Sequence, residues 1–198
     1  MTGQPVRIDR VGPADLDAVR GFYARLGDAS TYYRFFGLRR HIPEGELLGV
    51  VGESAHHVTL LASIGPELIG IGEFIIGKQP TEAEVAFAVA DDHHREGVAT
   101  LLLERLAVIA HDRGLLRFTA TVMPGNADMQ LVFRTVGLAV SSRFDDGVVE
   151  IVLELASLTS LTAASDARAG RPCSATPSPI AVTAPSPRTD TARSSTPS

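Results

Sequence analysis

Cysteine is almost missing from this chain: Cys173 is the single thiol in 198 residues. One thiol cannot close an internal disulfide, so the fold must stand without that staple, and the cytoplasm is the expected compartment. Long apolar runs are missing as well. The N-terminal stretch carries Arg7, Asp9 and Arg10 and no hydrophobic core of a leader, so no signal peptide is expected. The most apolar segment, 98–110, is broken by Glu104 and Arg105 and falls short of the ~20 residues a spanning helix needs. There is no Gly-x-Ser-x-Gly element for a serine hydrolase and no Walker loop for a nucleotide triphosphate. Two histidine pairs, His56-His57 and His93-His94, lack a carboxylate or thiol at ligand spacing. Neighbours on a strand also point to opposite faces, so no metal is expected. Lysine occurs once, at Lys78, from which no functional conclusion follows.

What is present is the composition of a soluble globular protein, 44% hydrophobic and 21% charged. It breaks once, near Ala156. Beyond that point come Ala, Ser, Thr and Pro, with no aromatic residue. Such a segment cannot bury enough apolar surface to offset its ordering entropy, so 156–198 is expected to be a disordered tail behind one domain, 1–155. The tail holds two aspartates against four arginines, so a formal charge of −5 overall leaves −7 on residues 1–155. A domain that acidic is a poor partner for nucleic acid and a reasonable host for a cationic substrate, although acidity also serves plain solubility.

Alternating elements fill 1–155. Strand patterns cover 6–11, 56–63, 68–76, 83–90, 116–123, 138–142 and 148–155, the last two joined by an Asp146-Gly147 hairpin turn. Helical periodicity covers 14–26, 98–113 and 126–136, with a shorter helix expected over 43–50. Ser30 is placed to cap another short helix carrying Tyr33, Phe36 and Leu38, with Tyr33, Phe35 and Phe36 read as core and Arg34 as a candidate cleft residue. Gly114 is the expected C′ residue of the main helix. Strands that run first consecutively and then alternate with helices indicate an α/β or α+β domain on one central sheet.

The chemistry concentrates in Glu84-Val85-Ala86-Phe87-Ala88-Val89 and the following His94-Arg95-Glu96-Gly97-Val98-Ala99-Thr100. A buried strand, a Gly-containing turn and a helix N-terminus make an anion site, because unpaired N–H groups and the helix dipole both face the turn. A carboxylate about ten residues upstream adds a candidate general base. Glu82, two residues earlier on the same strand face, and Glu73 on the preceding strand are the rivals; Glu84 also reads as a plain surface carboxylate, and Arg95 as a solvated loop charge.

These residues, with Asn126 and the Phe133…Gly137-Leu138 ending, resemble the GNAT superfamily of acyl-CoA-dependent N-acyltransferases over roughly 5–155. The segment Ser30-Thr31-Tyr32-Tyr33-Arg34-Phe35-Phe36 is similar to one that precedes the core in bacterial Pat-type protein lysine acetyltransferases. The resemblance implies a mixed central sheet flanked by helices, with acetyl-CoA wedged between two splayed strands and attacked directly by an amine. It implies that Glu84 is the base, that the Val89 N–H holds the thioester carbonyl, and that Asn126 contacts the pantetheine arm. The pyrophosphate would lie on His94, Arg95, Gly97, Val98, Ala99 and Thr100. His94 stands where the family carries Gln or Arg, and Glu96 where many members carry a basic residue. Phe133 replaces a tyrosine that protonates the leaving thiolate in many relatives. The partners implied are acetyl-CoA and an amine or protein-lysine acceptor, with no metal, nucleic acid or membrane; the reading allows a homodimer. A small-amine acetyltransferase and a catalytically degenerate acyl-CoA-binding module are the alternatives.

Overall fold

The computed structural model describes residues 5–37, 42–52 and 54–157. The tail from 158 onward and Leu38 lie outside them. Seven strands form one sheet: β1 (Arg7–Arg10), β2 (His57–Ile64), β3 (Glu67–Ile76), β4 (Glu82–Val89), β5 (Arg117–Val122), β6 (Ala139–Asp145) and β7 (Val148–Glu154). Their spatial order is β1-β2-β3-β4-β5-β7-β6, and every pairing is antiparallel except β4 with β5. The expected mixed sheet is therefore present. Its central strands are buried on both faces, which is why β3 reads Leu68-Ile69-Gly70-Ile71 without polar alternation.

Among the described residues five α-helices cover the two faces: α1 (Leu16–Arg25), α2 (Asp28–Phe35), α3 (Glu44–Val51), α4 (Val98–Asp112) and α5 (Ala127–Thr135). One core joins α1 and α3, through Val19, Phe22, Leu47 and Val51, to Leu61, Ile71 and Ala88 of the sheet. The other joins α4, through Val98, Leu102, Leu106 and Ala110, and Phe133 of α5 to Leu60, Phe74, Val85 and Phe118. Spacings of four residues place those α4 side chains on one stripe. Each fully buried leucine there stabilises the fold by about 1.5–3 kcal/mol.

Glycine in β3 sets how closely α4 approaches. A Cβ at Gly70 would stand 2.9 Å from Val98 Cγ1, and one at Gly72 would stand 3.1 Å from Leu102 Cβ. The helix therefore packs directly on strand backbone, which fixes its first turn against the sheet.

Two expectations change. Ser30 does not cap α2: Gly27 is the N-cap, and Ser30 lies inside the first turn with its hydroxyl on Asp91. Tyr33 and Phe36 are not core. Tyr33 is half-buried, and Phe36 is 44% exposed with φ +54° where α2 ends. Phe35 alone of the three packs on the α1 core.

Candidate functional site

The parallel pairing of β4 and β5 spans only Glu82–Glu84 against Arg117–Thr119. Past Glu84 the strands part, and a cleft of about 800 Å³ opens between them. Ala90 N–H donates to Ile69 O on the β3 side at 2.9 Å, whereas Thr81 O accepts from Leu116 N–H on the β5 side at 2.8 Å. Backbone groups alternate sides along a strand, so beyond the last rung at Glu84 and Thr119 it is Phe87 and Val89 that direct theirs into the gap. All nine residues singled out in the sequence line this cleft: Glu84, Val89, His94, Arg95, Gly97, Val98, Ala99, Thr100 and Asn126.

Gly97 sits at φ +85° and ψ +6° as the N-cap of α4. No side chain caps this helix, and its first turn contains no acidic residue, so the N–H groups of Val98, Ala99 and Thr100 face the cleft with the positive end of the helix dipole behind them. Glu96 is drawn aside to His93, 2.8 Å away. His94 Nε2 donates to Val89 O at 3.0 Å and so pins the turn to the end of β4. Arg95, at φ +64°, reaches Asp128 of α5 at 3.3 Å across the cleft mouth. Asn126 Oδ1 accepts from Met129 N–H at 3.1 Å and caps α5, which leaves its amide NH2 for the cleft.

The three candidate carboxylates separate by environment. Glu84 is exposed on the α1/α3 face of β4, level with Ile75 of β3 and Thr119 of β5. Glu82 is tied to Arg117 at 2.9 Å. Glu73 is buried, with Oε1 accepting from Arg34 Nη2 and Oε2 from His57 Nε2, the latter at 2.7 Å. Burial alone would raise its pKa, but the His57 hydrogen bond and the Arg34 charge outweigh that and hold the carboxyl below its usual value. Beside it, burial pushes the Tyr23 phenol up to about 12, against the opposing pull of Arg34. Of these three carboxylates, Glu84 alone lines the cleft. It is the one held by no ion pair among the described residues.

Helix α2 forms one wall of the cleft: Arg34, read in the sequence as a candidate cleft residue, lines it, and so does Tyr33, which was expected in the core. Asp91, just past β4, accepts from Gly27 N–H at 2.7 Å and from the Ser30 hydroxyl, and so takes over the capping of α2 from across the chain. Arg34 anchors the far end on Glu73. Between these ties Tyr33 O–H donates to Gly125 O at 3.3 Å, from α2 to the turn that follows β5. Phe133 is 1% exposed, its ring centroid 6.1 Å from that of Phe87, so this position is packed into the core. The doublet Tyr32-Tyr33 was visible in the sequence; that the second of the pair spans a cleft was not. Among the described residues no cluster of metal-ligating side chains occurs, and no helix is long and apolar enough to cross a membrane.

Splayed strands, a bare helix N-terminus and a strand carboxylate thus share one cleft. Residues 19–138 match the profile of the Acetyltransferase (GNAT) family, and the chain belongs to that family. It is 31% identical over 153 residues to the acetyltransferase Pat of Mycolicibacterium smegmatis, a match that takes in 75% of this chain and 45% of that protein. The chain thus spans about half the length of that relative. The GNAT domain of PAT from S. lividans is 33% identical, with a TM-score of 0.70 over 75% of this chain and 90% of that domain. The spermidine N-acetyltransferase of Vibrio cholerae, solved with CoA and spermine, shares the fold at 16% identity and a TM-score of 0.62, over 78% of this chain and 98% of that one.

Proposed function

We propose that this chain transfers an acetyl group from acetyl-CoA to an amine, with a protein lysine as the acceptor, by direct attack in a ternary complex. One observation carries the reading: the uncapped N-terminus of α4 and the exposed Glu84 carboxylate open into the same gap between β4 and β5. Gly97 to Thr100 bind the pyrophosphate through backbone N–H groups, with Arg95 exchanging Asp128 for phosphate. The pantetheine arm enters the gap past the Asn126 amide, and the Val89 N–H holds the thioester carbonyl as charge builds on its oxygen. A lysine ammonium, near ~10.4 in water, must lose a proton before it attacks. Glu84 takes that proton, the nitrogen attacks the carbonyl carbon, and CoA leaves as its thiol. The lysine half rests on the likeness to the two Pat proteins.

Calorimetry with acetyl-CoA, followed by thiol release with lysine peptides and small amines, tests the reading. Binding and turnover with a lysine peptide are expected; absence of binding overturns the whole reading, and binding without turnover leaves only a regulatory acyl-CoA module. Acetylation confined to free small amines overturns the lysine half. Glu84→Gln should lower kcat by about 10²–10⁴-fold while leaving acetyl-CoA affinity nearly intact. Glu82→Gln and Glu73→Gln are the controls, and a larger loss of kcat in either, measured where the variant is still folded, moves the base there.

A further inference from the structure

The geometry points to Tyr33 as the group that protonates the thiolate leaving coenzyme A. This inference rests on the acetyl-transfer reading above and goes past it, because Phe133, which also lines the cleft, has no proton to give. The chain has three tyrosines. Tyr23 is buried under α2 and Tyr32 faces solvent; only Tyr33 lines the cleft. Its hydroxyl stands over the gap at the ends of β4 and β5, held by a single long hydrogen bond of 3.3 Å to Gly125 O, one residue from Asn126. The two histidines lining the gap have their ring N–H groups committed elsewhere, His94 to Val89 O and His93 to Glu96.

A thioester whose carbonyl oxygen lies on the Val89 N–H, with its arm past Asn126, has its sulfur between those two strands, beneath the span from Tyr33 to Gly125. The balance of the step is simple. The nitrogen–carbon bond forms, the carbon–sulfur bond breaks with its electron pair on sulfur, and the phenol proton passes to that sulfur. The acceptor ammonium gives up two protons, one before attack and one from nitrogen once the nitrogen–carbon bond has formed; both leave through Glu84 to water, which returns one to the phenolate, so one proton is released overall. A phenol is a weak acid whose O–H can donate to a thiolate at the moment one forms. Two independent ties, Asp91 to the start of α2 and Glu73 to Arg34, hold the helix in the place this requires. A loop-borne hydroxyl would lack that positioning.

The test compares Tyr33→Phe, Gly125→Ala and Tyr32→Phe with wild type in kcat, acetyl-CoA affinity, melting temperature and the pH profile of kcat. Tyr33→Phe keeps the ring and removes the proton. It should lower kcat by about 10²-fold, the low end for positioned proton transfer because the thiolate already leaves well, with acetyl-CoA affinity changed less than threefold. The alkaline fall of kcat should disappear in this variant while the acidic limb set by Glu84 remains. Gly125→Ala keeps the hydroxyl but puts a Cβ 3.3 Å from it, so kcat should fall in the same direction by a smaller factor. Tyr32→Phe should match wild type. Should Tyr33→Phe fail to fold, the Gly125→Ala profile decides. An unchanged kcat with weaker acetyl-CoA binding, or an alkaline limb that survives, shows a tie across the cleft and overturns the role of Tyr33 alone. No turnover by wild type overturns the acetyl-transfer reading itself.

Discussion

At the scale of single residues, the site divides charges into those that are spent and those that are available. Glu73 is spent: Arg34 and His57 each take one of its oxygens in a place water does not reach. Removing one partner of a buried ion pair leaves the other uncompensated, so Glu73→Ala should destabilise by about 3–5 kcal/mol, read as a drop in urea midpoint. The pH dependence follows from the same contacts. A carboxyl whose folded-state pKa is depressed stabilises above its unfolded value, and that stability is lost as pH falls through the folded one. Melting temperature should therefore decline on the acid side in wild type, and Glu73→Gln should start lower and decline less. A parallel decline in both would show that Glu73 contributes nothing to acid stability.

At the scale of elements, the strand–turn–helix unit from Glu82 to Asp112 was readable in the sequence almost to the residue. Its signals are local: an apolar run, a glycine, then a four-residue period. The Ser30 expectation failed for the opposite reason. A hydroxyl before a helical pattern is a good local cap, but Asp91, 61 residues away, reaches Gly27 N–H and Ser30 and shifts the boundary. Tyr33 was likewise hidden, because its partner Gly125 is 92 residues distant and no spacing rule reports that. Gly97 was both readable and consequential. At φ +85° it occupies backbone space closed to proline, whose ring holds φ near −65°. Gly97→Pro should thus abolish calorimetric acetyl-CoA binding at a fold still native by circular dichroism. His94→Ala, which removes one hydrogen bond to Val89 O, should weaken it much less; equal losses would mean that side chains, not backbone donors, hold the pyrophosphate.

At the scale of the whole molecule, Leu155, just past β7, is fully buried, and its N–H donates to Leu116 O at 2.9 Å, so the described core reaches to the end of the described residues. A chain ending at Ser157 should keep its melting temperature and its acetyl-CoA affinity, and a loss of several degrees would place part of the core beyond that point. The parting of β4 from β5 carries a further consequence. A seven-stranded sheet with a gap in its middle leaves the amides of Phe87 and Val89 without a neighbouring strand, so in the free protein they should exchange with solvent deuterium far sooner than those of β3. On the proposed reading, an acetyl donor whose arm carries its own amides fills the gap as an eighth, non-peptide strand. Saturation at a hundred times Kd adds about 2.7 kcal/mol to the folded state. Deuterium uptake across β4 should fall with it, because the same molecule that carries the acetyl group also completes the sheet.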